Sequence, residues 1–130
     1  MTTVTPHARH HDGLGPLASR YVDVDDLPWT PTKFDGFEIK VLMENKETGL
    51  LTALLRCVPG ATLPYHEHTD IEQTFVLEGS LADNEGEVTA GNYVWRPAGS
   101  RHTASTPNGA LLLSFFLRPN RFLDGDEAEG

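Results

Sequence analysis

Two histidines and a glutamate stand close together at spacings that suit a metal ion. His66 and His68 are separated by one residue, and Glu72 follows four residues later. Alternate residues of a β-strand point to the same face, about 6–7 Å apart, so the two imidazoles would share a face. Neutral imidazoles bind Zn, Fe, Ni, Cu or Mn, and a carboxylate beyond a tight turn can complete a set with open coordination positions. Alone, the pair is a weak signal, because an exposed strand can carry it by chance.

A third histidine follows a turn in the second half of the chain. Residues 91–102 read GNYVWRPAGSRH, so a short apolar run precedes Pro97, Gly99 and then His102. Proline and glycine favour a turn, which can redirect the chain and aim His102 at the first pair. The sequence therefore predicts that three histidines converge on one metal ion.

The elements that must hold these side chains are predicted to be strands. From about residue 20, short apolar or alternating runs are separated by turn residues, and helical periodicity is nearly absent, which is typical of an all-β sandwich or barrel. The predicted strands are FEIKVLME, LLTALLRCV, EQTFVLEG, SLADNEGEV around a turn at 84–86, NYVWRP and ALLLSFFL. The last run does not alternate, which predicts a strand covered on both sides, in the barrel or at a subunit interface.

The two histidine segments resemble the signature motifs of the cupin superfamily, and the resemblance covers about residues 21–123. The first motif is matched at Gly60, His66, His68, Glu72 and Gly79, and the second at Gly91, Pro97, Gly99 and His102. Thr106 stands where the second motif has Asn. The resemblance implies an all-β fold, the cupin-type double-stranded β-helix or jelly-roll barrel.

The resemblance also implies a metal centre at the mouth of the barrel. One divalent ion would be bound by His66, His68, Glu72 and His102. Fe(II) is favoured, and Zn, Ni or Mn are the alternatives, because neither the ligand types nor their spacing fixes the metal. Some cupins bind iron with three histidines only, so Glu72 is the ligand whose assignment stays open.

Narrower likenesses indicate what the metal does. The stretches LLRCVPGATLPYHEH, FVLEGSLAD and YVWRPAGSRH resemble the cupin part of ChrR-type anti-sigma factors, and SFFLRPNRFLD resembles acetylacetone-cleaving dioxygenases. We therefore predict a mononuclear non-haem iron dioxygenase that cleaves a carbon–carbon bond in a small diketone-like or phenolic substrate, anionic or chelating. The alternatives are a non-redox isomerase, cyclase or lyase acting through an enolate, and a non-catalytic small-molecule or metal-sensing cupin module.

Length and composition indicate the domain organisation, the excluded partners and the cellular location. We expect a flexible arm over residues 1–19, the cupin domain over 20–123 and an acidic disordered tail over 124–130. The net charge of −9 would repel nucleic acid and anionic membranes, so neither is an expected partner. A single cysteine and the lack of an apolar signal segment favour the cytoplasm. A homodimer is expected, since single cupins commonly pair through their outer sheets.

Arginines near the motifs have two interpretations. Arg56, Arg96 and Arg101 could each clamp a carboxylate or enolate, because a guanidinium matches such groups bidentately. Surface positions or salt bridges are the favoured interpretation. Glu67, between the first two histidines, is predicted by strand alternation to point away from the metal as a surface charge.

Overall fold

The computed structural model describes residues 3–123, and the predicted acidic tail, residues 124–130, lies outside the described residues. Eleven strands occur in this part of the chain, and its only helical turns are two 3-10 turns, at Arg9–His11 and Val24–Asp26. The strands are β1 (Thr3–Val4), β2 (Thr30–Pro31), β3 (Phe37–Asn45), β4 (Leu50–Cys57), β5 (Ala61–Glu67), β6 (Glu72–Ala82), β7 (Glu87–Thr89), β8 (Tyr93–Arg96), β9 (Arg101–Thr106), β10 (Ala110–Phe116) and β11 (Arg121–Phe122). No helix among the described residues is long and apolar enough to cross a membrane.

The strands form one curled antiparallel sheet in the order β1-β3-β4-β10-β6-β9-β5-β11. β2 pairs with β3, while β7 and β8 pair with β6. β6 is the central element, because residues 72–79 pair with β10, residues 72–75 also pair with β8, and the last residues pair with β7 and β9. This arrangement is the cupin jelly roll, so the predicted fold class is confirmed.

The inner face of the sheet carries the core, and the strands alternate between buried and exposed residues as a half-buried sheet requires. On β6, Thr74 and Val76 are buried while Phe75 and Leu77 are exposed. β10 alternates in the same way, because Leu112 and Ser114 face inward and Phe115 is exposed. The barrel therefore covers this run on one side only, so the first alternative is wrong and cover at a subunit interface stays a prediction. Only contact with a second subunit would cover its outer side.

The segment predicted as an N-terminal arm includes regular structure. Thr3 and Val4 pair with the end of β3, opposite Asn45 and Glu44. Thr5 Oγ1 donates a hydrogen bond to the Leu42 carbonyl at 2.7 Å. Its flexibility as a whole stays a prediction.

Thr106, the departure from the second motif, anchors the end of β9. Its side chain is fully buried, and its Oγ1 donates to the Val58 carbonyl at 3.0 Å. Its own carbonyl accepts from the Gly60 N–H at 2.9 Å. Thr106 thus joins β9 to the β4–β5 turn through two hydrogen bonds.

Candidate metal centre

The three predicted histidines lie together inside the barrel. His66 is on β5, His68 follows the end of that strand, and His102 on β9 is the direct cross-strand partner of His66. One ring nitrogen from each lies within 4.8 Å of the others. Their side chains are almost completely buried, with exposures of 1%, 0% and 4%. The turn between β8 and β9 therefore aims the third histidine at the pair, as the spacing predicts.

Each of these imidazoles is held by its Nδ1 atom. The Nδ1 of His66 lies 2.7 Å from the Pro64 carbonyl oxygen, and that of His68 lies 3.0 Å from the Ser100 carbonyl oxygen. The Nδ1 of His102 lies 2.7 Å from Asp83 Oδ2. Carbonyl and carboxylate oxygens only accept hydrogen bonds, so all three Nδ1 atoms carry the proton. The neutral tautomer that results leaves a lone pair on each Nε2, which is the form a metal requires.

The surroundings of His68 Nε2 test whether a cation fits this centre. This atom is buried and has no hydrogen-bond partner among the described residues. It lies 3.4 Å from Glu72 Oε2, so a lone pair faces a carboxylate oxygen. Two acceptors that face each other without a proton between them repel, whereas a metal ion would satisfy both. The residues present therefore fit a metal ion.

Glu72, the fourth predicted ligand, is close to one imidazole only. Its carboxylate is not among the three mutually close ligand atoms, which come from the histidines. It is 9% exposed, and Asn120 Nδ2 donates to its Oε2 at 3.2 Å. Asn120 therefore holds the Glu72 carboxylate near the imidazoles.

Burial adjusts the protonation of the centre in the direction that metal binding needs. Desolvation lowers the pKa of His66 to about 4. Desolvation, together with the neighbouring imidazoles, lowers the pKa of His68 to about 3. The pKa of His102 is also lowered by burial, although the Asp83 carboxylate opposes that shift. All three rings are thus neutral near pH 7, as ligands must be. Burial raises the pKa of Glu72, against the hydrogen bond from Asn120.

The sequence of residues 17–119 matches the ChrR cupin-like domain family. The chain belongs to that family. No curated protein sequence is significantly similar to it. The predicted resemblance to cupins and to the ChrR-type domain is confirmed by this match.

Solved structures with the same fold include enzymes of two kinds. A proposed acetylacetone dioxygenase from Methylibium petroleiphilum is 23% identical, with a TM-score of 0.75 over 90% of this chain and 89% of that one. An acetylacetone dioxygenase from Acinetobacter johnsonii is 24% identical, with a TM-score of 0.73 over 86% and 83%. The polyketide cyclase RemF from Streptomyces resistomycificus is 20% identical, with a TM-score of 0.65 over 85% and 89%. At these identities the likeness shows the fold alone.

Asp83 contacts the centre of this ChrR cupin-like domain without having been predicted to do so. Its Oδ2 accepts both from His102 and from Arg96 Nη1, the latter at 2.8 Å. The Asp83 side chain is only 2% exposed. Burial raises its pKa, but His102, two backbone N–H groups and Arg96 outweigh burial and hold it below its usual range. An aspartate that opens the DNEG turn is typical of a turn residue, so the sequence offered no sign of this contact.

The remaining predicted neighbours behave as surface groups. Arg56 Nη2 pairs with Glu38 Oε1 at 2.8 Å, and Arg101 Nη2 pairs with Glu67 Oε1 at 2.9 Å. The expected salt bridges of these arginines are present. Glu67 lies outside the centre, where Arg121 and Arg101 lower its pKa.

The C-terminal segment 117–123 covers the centre on one side. The Phe122 ring lies 5.3 Å from the His66 ring and 4.7 Å from the Phe34 ring, measured between centroids. Thr69 Oγ1 fastens the segment by donating to the Pro119 carbonyl at 2.6 Å. A cavity of about 280 Å³ borders Asn120 and Phe122, and another of about 480 Å³ borders Asp83, Arg96 and Ser100. A further cavity of about 630 Å³ is lined by His102 itself, together with Tyr65 and Asp83.

Proposed function

We propose that this ChrR cupin-like domain is a mononuclear metal enzyme, a non-haem iron dioxygenase that cleaves a carbon–carbon bond in a small diketone-like or phenolic substrate. The observation that carries the proposal is the buried set of three imidazoles, whose ligand nitrogens lie within 4.8 Å of one another. The fold shared with one acetylacetone dioxygenase and one proposed acetylacetone dioxygenase supports the choice of reaction.

The proposed ligands are His66, His68 and His102, with Glu72 as the fourth. A divalent ion held there would supply Lewis acidity toward an enolate or phenolate oxygen, and Fe(II) would in addition supply electrons for O₂ chemistry. The protein fixes each ring through its Nδ1 proton, so that the rings need no reorganisation on binding. Burial of the four side chains excludes water from the ligand atoms.

The charge of this site favours an anionic substrate. Three neutral imidazoles and one carboxylate would leave a net charge of about +1 on a divalent ion. A β-diketone as its enolate, or a hydroxyaryl ketone as its phenolate, supplies the opposite charge and two oxygen donors. The acidic exterior, with a net charge of −9, is screened beyond about 8 Å at physiological salt and slows approach only modestly.

Two further functions remain as alternatives, each with its own support. A non-redox isomerase, cyclase or lyase acting through an enolate would use the same site with Zn, Ni or Mn, and the fold of the polyketide cyclase RemF favours it. The sensing module is supported by the family match, because the family is named after ChrR. A solved structure with this fold is the anti-sigma protein ChrR in complex with SigE.

Oxygen consumption with defined metals separates these functions. Protein purified without affinity chelation is stripped of metal and reloaded with Fe(II) or Zn(II), and then given a β-diketone and a hydroxyaryl ketone. We expect the Fe(II) form to consume O₂ and the Zn(II) form to bind the same compounds without turnover. Turnover by the Zn(II) form at the rate of the Fe(II) form would replace the dioxygenase with the enolate-stabilising enzyme. Failure of both forms to bind any such compound would favour the sensing module.

We also propose that the protein is a homodimer in solution. The support is an apolar outer face on β6, β8 and β10, where Phe75, Tyr93, Trp95 and Phe115 are 37–56% exposed. Exposed apolar patches of this kind are typical of protein interfaces.

A further inference from the structure

Arg96 carries a hydrogen-bond donor that its surroundings do not satisfy. Among the described residues, two buried side-chain atoms have no hydrogen-bond partner, and they are His68 Nε2 and Arg96 Nε. A metal ion accounts for the nitrogen of His68. The buried N–H of Arg96 is a donor, so a metal ion does not satisfy it, and it requires an acceptor.

Other arginines of the chain use the same atom in their ion pairs. Arg56 donates to Glu38 through both Nε and Nη2, at 3.0 and 2.8 Å. Arg101 likewise engages Glu67 through Nε at 2.9 Å and Nη2. Arg96 instead reaches Asp83 through Nη1 alone, at 2.8 Å. Its pairing with Asp83 therefore leaves one side of the guanidinium fork unused.

The unused donor lies beside the candidate metal centre. Arg96 on β8 is the direct cross-strand partner of Glu72 on β6, so the two side chains project from the same face of the sheet. That face is the inner one, because Glu72 is buried 3.4 Å from His68 Nε2. Through Asp83, the guanidinium is also linked to His102. The Arg96 side chain itself is only 11% exposed.

The charge around the centre indicates which kind of ligand would accept the hydrogen bond from Arg96 Nε. The Arg96 cation is compensated by Asp83, whose carboxylate lies 2.8 Å away. With a divalent ion and the Glu72 carboxylate, the group as a whole keeps one positive charge. A ligand with one negative charge on oxygen would neutralise it and would also supply the missing acceptor.

We infer that Arg96 is the residue that recognises the substrate's anionic oxygen. Its Nε–H donates to an enolate, phenolate or carboxylate oxygen of a small ligand bound beside the three imidazoles. The inference rests on the proposed metal centre and adds to it the residue that selects anions. A cavity of about 630 Å³, within the size range of ligand sites, is lined by Asp83 and His102, the residues to which Arg96 is linked.

The test measures binding, with a metal that does no redox chemistry. Zn(II)-loaded protein is titrated calorimetrically with acetylacetone, with acetohydroxamate as a second oxygen-chelating monoanion, and with the acetylacetone analogue whose central hydrogens are both replaced by methyl groups. That analogue keeps both carbonyls but forms no enolate. Zinc content per chain and thermal melting are measured for every variant.

The informative substitution is Arg96→Lys, because lysine keeps a cation for Asp83 but has no donor at the Nε position. We expect this substitution to weaken the binding of both anions by about 10- to 100-fold at unchanged zinc content, because a charge-assisted hydrogen bond is lost. Arg96→Gln, which also removes the charge, should weaken them at least as much. The matched control is Arg56→Lys, which alters an exposed pair at another part of the sheet and should leave binding unchanged. The methylated analogue should bind no protein of the set.

Each other result has a definite meaning. Arg96→Lys protein that holds full zinc and binds both anions as tightly as the wild type overturns the inference. Loss of zinc in Arg96→Lys assigns Arg96 a structural role and overturns it as well, as does failure of both anions to bind the wild type. If acetohydroxamate binds in an Arg96-dependent way and acetylacetone does not bind, the inference stands and the diketone substrate of the proposed function is wrong.

Discussion

Each of the three buried imidazoles donates its Nδ1 proton to an oxygen of the protein, so its Nε2 has a lone pair and no proton. Burying such acceptors without partners is unfavourable, and His68 Nε2 is the clearest case, since it is fully buried and unpaired within residues 3–123. Metal binding would remove that penalty and would therefore stabilise the folded state. The energetics of these single residues lead to two predictions.

The first prediction is that His66→Ala, His68→Ala and His102→Ala each abolish stoichiometric metal binding. Losing one of three or four ligands removes a large share of a site's affinity, whereas Glu72→Ala should weaken binding less. Metal per chain is measured by elemental analysis after dialysis. His10→Ala is the control, because His10 is exposed and far from the centre in sequence. A His102→Ala protein that retained one metal per chain would show that the three rings do not form the site.

The second prediction concerns the metal-free protein and pH. Unfolded imidazoles have a pKa of about 6.5, and burial lowers the pKa of His66 to about 4 and of His68 to about 3. As pH falls below 6.5 the unfolded chain takes up protons before the folded one does, so the free energy of unfolding should fall until pH reaches these lower values. Glu72, whose pKa burial raises, acts in the opposite sense.

Urea denaturation of the metal-free protein between neutral pH and about pH 4.5 measures the slope of the unfolding free energy against pH. His66→Gln removes one buried imidazole, so its slope should be shallower by up to about 1.4 kcal/mol per pH unit. Stability that stays level across this range in the wild type would mean that the buried rings are not neutral.

At the scale of elements, β6 links the two halves of the sheet and needs an irregularity to do so. Opposite β10, residues 76 and 78 pair with consecutive residues Leu112 and Leu111, so one residue of β6 is extra. Gly79 follows this bulge with φ of +75°, a left-handed conformation that side chains disfavour. A Cβ at Gly79 would lie 1.9 Å from the Gly109 carbonyl oxygen. The approach of β6 to the turn before β10 therefore depends on glycine.

The third prediction compares two glycines of similar φ. Gly79→Ala should destabilise the fold by about 3 kcal/mol or more, because backbone strain and a clash with rigid backbone add together. A Cβ at Gly60, where φ is +80°, would meet no atom within 4 Å. Gly60→Ala should therefore cost about 1 kcal/mol, from conformational strain alone. Chemical denaturation measures both, and equal losses would contradict the assigned close approach.

The sequence predicts those parts of the fold and the site that neighbouring residues determine, such as turns and strand starts. Gly60 and Gly91 lie between strands with positive φ, as the predicted turns require. Gly79 also has positive φ but lies within β6, so the predicted break between EQTFVLEG and SLADNEGEV is wrong. Strand starts at Phe37, Leu50 and Ala110 also agree with the predicted runs, since turn residues precede them. Asp83 and Arg96 meet only because β6 and β8 pair in one register, and no local pattern encodes that register. The exposed outer side of β10 has no signature in the sequence, because the outward Phe115 is apolar while the inward face includes the polar Ser114.

At the scale of the whole molecule, the exposed aromatic face is the feature that a single chain leaves without explanation. Phe75 and Tyr93 are direct cross-strand partners, and Gln73 lies between Trp95 and Phe115 in the same register. These positions form one contiguous outer patch without a charged side chain among them. In a protein with a net charge of −9, an uncharged patch is where two copies would approach with least repulsion.

The last prediction is that Trp95→Lys converts a dimer to a monomer. A two-fold interface uses the same patch on both subunits, so one substitution places two ammonium groups in the contact, where desolvation and mutual repulsion both oppose association. Light scattering coupled to size exclusion should give twice the chain mass of 14.3 kDa for the wild type and that mass itself for the variant. Leu17→Lys is the matched control, because Leu17 is 97% exposed and lies outside the patch, and it should remain dimeric. A wild-type protein that elutes as a monomer, or a Trp95→Lys dimer as stable as the wild type, would exclude this face as the interface.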